Sequence, residues 1–186
     1  GDIVINATAN LQLTQKSGLI NQIEDGAIGQ GGNTRVTATN VQMQNGSAIV
    51  ASTFGLGNAG NLQVVANAIA LDSDSGIQSA VGSSGSGQGG SVTLQTRSLM
   101  LKNGGSVGTT TAGIGNAGQV KVTADTIILD SRGGIFGQVA STGTGRGGDI
   151  TIQSRSLTLT NAASVSSNTF GIGNGGNITV ATGSLS

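Results

Sequence analysis

Apolar residues alternate with polar ones in short runs along the whole chain, and the runs recur at a fixed distance. In the stretch from Gly148, Ile150 and Ile152 alternate with Thr151 and Gln153. Leu157 and Leu159 follow in the same phase, and then Val165 and Ser167. Period-two alternation marks strands with one buried face, so each such stretch predicts three short strands separated by turns. No window shows the spacing or the Leu/Ala/Glu/Lys richness of a helix.

A glycine-centred phrase of the form Gly-x-[Gly/Ala]-Gly sets the period. Counted from its last glycine, repeats open at Gly1, Gly32, Gly60, Gly90, Gly118, Gly148 and Gly176, with spacings of 31, 28, 30, 28, 30 and 28 residues. The repeats are therefore 1–31, 32–59, 60–89, 90–117, 118–147, 148–175 and 176–186. Self-similarity at this period means stacked units, none able to bury its apolar face alone.

Aligning the repeats turns the alternation into columns. One holds Ile3, Thr34, Leu62, Val92, Val120, Ile150 and Ile178, and the next holds Ile5, Val36, Val64, Leu94, Val122, Ile152 and Val180. The second strand supplies Leu11, Val41, Ile69, Leu99, Ile127, Leu157 and Leu185, with Leu13, Met43, Leu71, Leu101, Leu129 and Leu159 beside them. The third supplies Leu19, Ile49, Ile77, Val107, Ile135 and Val165. The first repeat keeps this register only with a one-residue insertion near Thr8–Asn10. Three strands per coil, each lying on its copy one repeat later, predict an all-β parallel β-helix of about six and a half coils. It is expected to be right-handed, as parallel crossovers are, and with coils ~4.8 Å apart it forms a rod on the order of 30 Å long.

The turns repeat as well. Asn45-Gly46, Asn103-Gly104 and Asn161-Ala162 fall at one corner of alternate repeats, and Asp72-Ser73-Asp74 and Asp130-Ser131-Arg132 fall there in the others. The 28/30 alternation marks two coil types, the longer carrying a Ser/Gly/Thr loop (Gly82 to Ser86, Ser141 to Thr144).

Composition narrows the function. Lys+Arg and Asp+Glu are both 8, and there is no Cys, His, Pro, Trp or Tyr. Zero net charge with no basic patch excludes the electrostatic footprint of a nucleic-acid binder. Without Cys there is neither a disulfide framework nor a thiolate metal site. No apolar run reaches the ~18 residues of a membrane span, so membrane insertion is not expected. The chain opens on a repeat boundary without a signal-peptide pattern and stops within a repeat, which reads as an internal segment of a longer protein.

Several groups resemble sites. Gly55 to Gly60, Gly113 to Gly118 and Gly171 to Gly176 match G-x-G-x-x-G, but a strand rather than a helix follows each, so the match is turn chemistry and no cofactor is expected. Asp72, Asp74 and Asp130 share a corner as acid/base candidates. They stand two coils, or on the order of 10 Å, apart, with no His in the chain and no basic residue read as stacking beside them. No catalytic residue is assigned: these carboxylates read as solvated turn residues, with a weak calcium contact at Asp72 and Asp74 as the alternative, although calcium takes six to eight oxygens. Arg97, Asp125 and Arg155 occupy one outward position of three successive coils and predict a plus-minus-plus ladder of structural meaning. Phe54 and Phe170 share a column across Ala112. They are read chiefly as loop covers on the core, with a surface patch for carbohydrate or a partner as the competing reading.

Ser52 to Leu62 (Ser-Thr-Phe-Gly-Leu-Gly-Asn-Ala-Gly-Asn-Leu) and Ser156 to Ser167 resemble the repeats of filamentous-haemagglutinin-like exoproteins, and the resemblance extends over all seven repeats. It implies two-partner secretion through an outer-membrane partner and a β-helical shaft displayed outside the cell. The shaft would serve attachment, biofilm or extracellular fibre formation, with carbohydrate, a host or neighbouring cell surface, or other copies of the rod as partners. The resemblance carries no catalytic motif. The alternative is a carbohydrate-active β-helix, lyase or glycosidase, whose active groove lies mostly outside this segment.

Overall fold

The computed structural model describes all residues, Gly1–Ser186, as a β-solenoid of about six turns built without a helix. Each turn contributes strands to three parallel ladders. The first runs through Ile3–Asn6, Thr34–Thr37, Leu62–Val65, Val92–Gln95 and Val120–Thr123. The second runs through Asn10–Leu13, Asn40–Met43, Ala68–Leu71, Ser98–Leu101 and Thr126–Leu129. In the last turns these two merge into the continuous strands Ile150–Leu159 and Ile178–Leu185. The third ladder is longer-stranded, from Gly18–Ile23 through Ala48–Thr53, Gly76–Val81, Ser106–Thr111 and Gly134–Val139 to Ser164–Ser166.

The register follows the aligned columns. Ile3 pairs with Thr34, Thr34 with Leu62, Leu62 with Val92, Val92 with Val120, Val120 with Ile150 and Ile150 with Ile178. Leu13 pairs with Met43 and Met43 with Leu71, and Leu19 pairs with Ile49 and Ile49 with Ile77. The first-repeat insertion is visible as a change of offset. Ile3 lies 31 residues before its partner, whereas Asn10 pairs with Asn40. From Val36 to Leu157 these columns form one continuous buried core. Burying each aliphatic side chain contributes roughly 1.5–3 kcal/mol, and a coil gains that burial by stacking on its neighbours.

A fourth, minimal ladder completes the cross-section. Ile28, Leu56, Ser86, Ile114 and Thr144 are joined as single-residue parallel bridges, and Thr144–Arg146 pairs with Ile172–Asn174. It sits on the glycine phrase. Each rung is followed by a glycine such as Gly57, whose φ of 135° is open to glycine and whose missing side chain makes room for the Gly29 carbonyl below.

The two coil types differ at one place, between the third strand and this fourth rung. Glu24–Ala27, Gly82–Gly85 and Ala140–Gly143 fill it in the first, third and fifth coils; Phe54-Gly55, Ala112-Gly113 and Phe170-Gly171 fill it in the others. The long loops close on themselves, as Gly85 N donates to Gly82 O at 2.9 Å and Gly143 N to Ala140 O at 2.8 Å. Their hydroxyls tie down to the short loop beneath: Ser84 Oγ donates to Phe54 O at 2.8 Å and Thr142 Oγ1 to Ala112 O at 2.7 Å.

The second-to-third-strand corner is the same left-handed pair in every coil. Gln15-Lys16, Asn45-Gly46, Ser73-Asp74, Asn103-Gly104, Ser131-Arg132 and Asn161-Ala162 all take positive φ. The Asn-Gly and Asp-Ser corners are thus one turn, and the first coil makes it with Gln15-Lys16.

Candidate functional site

Three outward features of the rod carry polar or apolar chemistry in repeating form. The first is a groove of about 370 Å³ over the glycine corner. Gln88, Asn116 and Arg146 form one wall and Ser91, Gln119 and Asp149 the other, with Gly89, Gly118 and Gly147 along the floor. Glycine makes the floor because a Cβ on Gly118 would strike the Gly90 carbonyl of the coil below.

Side chains in both walls bind the next coil's backbone. Gln88 N donates to Asn58 Oδ1 at 2.8 Å, and Arg146 N donates to Asn116 Oδ1 at 2.9 Å. On the opposite wall Ser91 N donates to Asn61 Oδ1 at 2.8 Å and Asn177 N to Asp149 Oδ1 at 2.6 Å. Each side-chain oxygen satisfies a backbone N–H that the turn leaves unpaired. With its oxygen so engaged, the amide nitrogen of Asn116 remains as a donor in the groove. Arg146 reaches across to Asp149, with Nη2 2.6 Å from Oδ1 and Nη1 3.3 Å from Oδ2, a forked pair that bounds the groove in the fifth coil. The arrangement suits a hydroxyl-rich ligand that exchanges hydrogen bonds without charge.

The second feature is the acidic corner. Asp72 and Asp130 occupy one column, as the sequence indicates, but Lys102 stands between them: Asp72, Lys102 and Asp130 each donate their backbone N–H to the preceding leucine-column residue's coil, at Met43, Leu71 and Leu101. The expectation that no basic residue stacks beside these carboxylates is therefore corrected. It rested on matching turns by residue type, while the Leu71, Leu101 and Leu129 register places Lys102 in line.

Asp72 Oδ1 accepts from Asn103 Nδ2 at 2.8 Å and from Ser73 Oγ at 3.1 Å. The Asn103 bond is the main cause holding its carboxyl below the usual range; burial opposes it, and the Ser73 bonds and, least of all, the field of Lys102 add to the lowering. Asp130 Oδ1 accepts from Thr160 Oγ1 at 2.8 Å and Asn161 Nδ2 at 2.7 Å, which lowers its pKa likewise. Both carboxylates are thus stabilised as anions that brace the following coil's turn. A general acid needs the opposite shift.

The remaining sequence-derived residues are placed as follows. Arg97, Asp125 and Arg155 stack in one column, with Asp125 N donating to Arg97 O at 3.0 Å and Arg155 N to Asp125 O at 2.9 Å. Of the expected plus-minus-plus ladder only the upper pair forms, Arg155 Nε lying 3.2 Å from Asp125 Oδ1; Arg97 makes no ion pair. Both partners are more than half exposed, so water screens the attraction and leaves the lower rung nothing to hold it. Phe54 and Phe170 share their column with Ala112, each donating its N–H to the coil below. Phe54 is half-buried and lies over Gly82, where a Cβ would strike its ring. Phe170 is 62% exposed.

The third feature escapes the alternation. In the fourth ladder Ile28, Leu56, Ile114 and Ile172 point outward, with exposures of 82%, 52%, 64% and 71%. Their signal in the sequence is the recurrent apolar residue directly before a glycine of the phrase, Gly-[Leu/Ile]-Gly at Leu56, Ile114 and Ile172 and Ala-Ile-Gly at Ile28.

Comparison with protein-family models, with curated proteins and with solved structures finds no match.

Proposed function

We propose that this chain is a stretch of the structural shaft of a secreted or cell-surface exoprotein of the filamentous-haemagglutinin-like kind, acting in attachment, biofilm or extracellular fibre formation. The observation that supports this reading most is the uninterrupted register. The first-strand column stays paired from Ile3 to Ile178, with insertions accommodated at two fixed corners and the core continuous between them. Such a scaffold holds its surface groups at fixed intervals along a rod, which serves display and reach. The amide-walled groove offers hydroxyl-rich glycans a row of neutral donors, which fits an adhesive shaft.

A panel of cell-surface and plant polysaccharides tests it. The rod is expected to be retained on one or more of them without generating new reducing ends or unsaturated products. Product release by the purified chain would replace this reading with that of a carbohydrate-active enzyme.

A further inference from the structure

One wall of the groove is a column of side chains that runs Asn33, Asn61, Ser91, Gln119, Asp149 and Asn177. Most of its members cap the backbone N–H of the next. Asn61 N donates to Asn33 Oδ1 at 3.0 Å, Ser91 N to Asn61 Oδ1 at 2.8 Å and Asn177 N to Asp149 Oδ1 at 2.6 Å. The series breaks twice. The Gln119 N–H follows Ser91 in the column and the Asp149 N–H follows Gln119, and neither has a carbonyl or side-chain acceptor in the protein. The cause is reach. Asn and Asp carry their oxygen to the N–H of the next coil, whereas Ser stops one bond short and Gln is a methylene too long. On the facing wall Gln88 Oε1 meets Asn116 N only at 3.3 Å. A backbone N–H left open in this way is satisfied from outside the chain.

The neighbouring side chains are equally unspent. Ser91 Oγ and the Gln119 amide bond nothing in the protein, and Gln88 and Asn116 use only their oxygens, on Asn116 N and Arg146 N. In the preceding coil Asn61 uses both ends of its amide, Oδ1 on Ser91 N and Nδ2 on Asn33 Oδ1 at 3.1 Å. In the following coil Arg146 and Asp149 close on each other. Free hydrogen-bonding groups are therefore concentrated on two rungs of the groove, Gln88 with Ser91 and Asn116 with Gln119.

We propose that these two rungs bind two consecutive sugars of an extended, neutral glycan lying along the rod axis, one sugar to a rung. The site deepens the adhesive reading and rests on it. Its spacing selects the chain's shape. Rungs stand ~4.8 Å apart, and a β-1,4-linked pyranose ribbon advances by nearly that interval per sugar, so successive sugars meet equivalent groups. An α-1,4-linked chain curls away after the first. The free groups select hydroxyls, which donate and accept at once. Gln88 Nε2, Asn116 Nδ2 and the two open N–H groups are donors, and Ser91 Oγ and Gln119 Oε1 accept.

Charge selects a neutral ligand. The forked Arg146–Asp149 bond occupies the cation that lines the groove, so a uronate or phosphate would meet a carboxylate without gaining an unpaired partner. The same pair closes the groove beyond the Asn116 rung. With no aromatic side chain in the lining, binding by this stretch is weak, with Kd on the order of 1 mM.

An NMR titration of the full chain with cellotetraose and with chitotetraose is the test. With at least one of them, the side-chain amides of Gln88, Asn116 and Gln119 and the backbone amides of Gln119 and Asp149 are expected to shift together. The side-chain amide of Gln42, on the second-strand face, is expected to stay fixed. Maltotetraose and tetragalacturonate are expected to bind about tenfold more weakly or not at all.

Two variants separate the site from the scaffold. Ser91→Ala with Gln119→Ala removes only side-chain groups that bond nothing in the protein, and it is expected to weaken binding about fivefold with the melting temperature retained. Ser91→Asn supplies the missing cap to Gln119 N, so it is expected to raise the melting temperature and weaken the glycan together.

Groove amides that stay unshifted at ~20 mM of both probes, or a Ser91→Asn chain that binds unchanged, overturn the proposal. Equal binding of tetragalacturonate overturns the neutral ligand, and equal binding of maltotetraose overturns the one-sugar-per-rung register. A rod retained on polysaccharide while these amides stay silent loses the site and keeps the adhesive reading. A rod retained on none loses both.

Discussion

Thr109 Oγ1 donates a 2.7 Å hydrogen bond to the carbonyl of Gly118, and both residues are buried. The bond joins the third strand to the glycine corner that begins the next coil. It is one of a series: Ser79 Oγ donates to Gly60 O and accepts from Gly90 N, and Ser167 Oγ donates to Gly148 O and accepts from Gly176 N. The last glycine of the recurring phrase is thus held from inside by a hydroxyl. Replacing Thr109 with Val keeps the shape and removes the donor, leaving a buried carbonyl unpaired. Chemical unfolding is expected to show a loss of about 1–3 kcal/mol, while Thr109→Ser retains most of the stability.

Thr34 presents the opposite case. It stands in the aliphatic column between Ile3 and Leu62, is 1% exposed, and its Oγ1 has no partner. Thr34→Val removes an unsatisfied hydroxyl without changing volume, so a gain of about 1 kcal/mol is expected by urea denaturation. A loss would mean that the hydroxyl is hydrogen-bonded in solution.

The left-handed corners predict a second stabilising change. Ala162 has φ 63° where the equivalent corners use Gly46 and Gly104. A side chain costs about 1–2 kcal/mol in this region, and glycine's extra freedom in the unfolded chain offsets part of the relief. Ala162→Gly is therefore expected to add about 0.5–1 kcal/mol, measured as a higher denaturation midpoint with an unchanged slope.

Much of this architecture is legible in the sequence, for a definite reason. Columns such as Leu13, Met43, Leu71, Leu101 and Leu129 are written by two-residue alternation, and the glycine phrase supplies the offset that aligns them. What alternation cannot write is a strand of one residue. Leu56 and Ile114 belong to a ladder whose rungs are too short to alternate, so their outward direction emerges only from the backbone, where a positive-φ glycine, Gly57 or Gly115, follows each. Lys102 was hidden differently: its turn, Lys102-Asn103-Gly104, differs in type from Asp72-Ser73-Asp74, although the two superpose residue for residue. The Arg97 rung shows the reverse limit. Stacking places the backbone, but an exposed side chain is not bound to follow.

The two lowered carboxylates give a pH dependence of definite sign. Folding depresses the pKa values of Asp72 and Asp130 below the ordinary 3.8. Between the folded and unfolded values the unfolded chain binds protons that the folded chain does not. Their contribution is therefore complete above the unfolded value and is lost as pH falls below 3.8 through the folded values. Denaturation midpoints are expected to decline in that acid window, and Asn103→Ala with Asn161→Ala is expected to shallow the decline. With no His in the chain, no side-chain titration centred between pH 5 and 8 is expected to alter stability.

The Asp125–Arg155 pair is expected to matter little. Its guanidinium side is 86% exposed, so Arg155→Ala should change stability by less than about 1 kcal/mol. Thermal unfolding in low and high salt measures it, and a larger, salt-insensitive loss would show that the pair is shielded from water.

Display outside the cell is the central functional claim, and labelling of intact cells tests it most directly. An antibody raised against the folded rod is applied to cells that make the full-length protein, before and after permeabilisation, alongside a strain lacking the gene. The account predicts full labelling of unbroken cells and severalfold weaker attachment in the deletion strain. Labelling that emerges only after the cells are opened would contradict it.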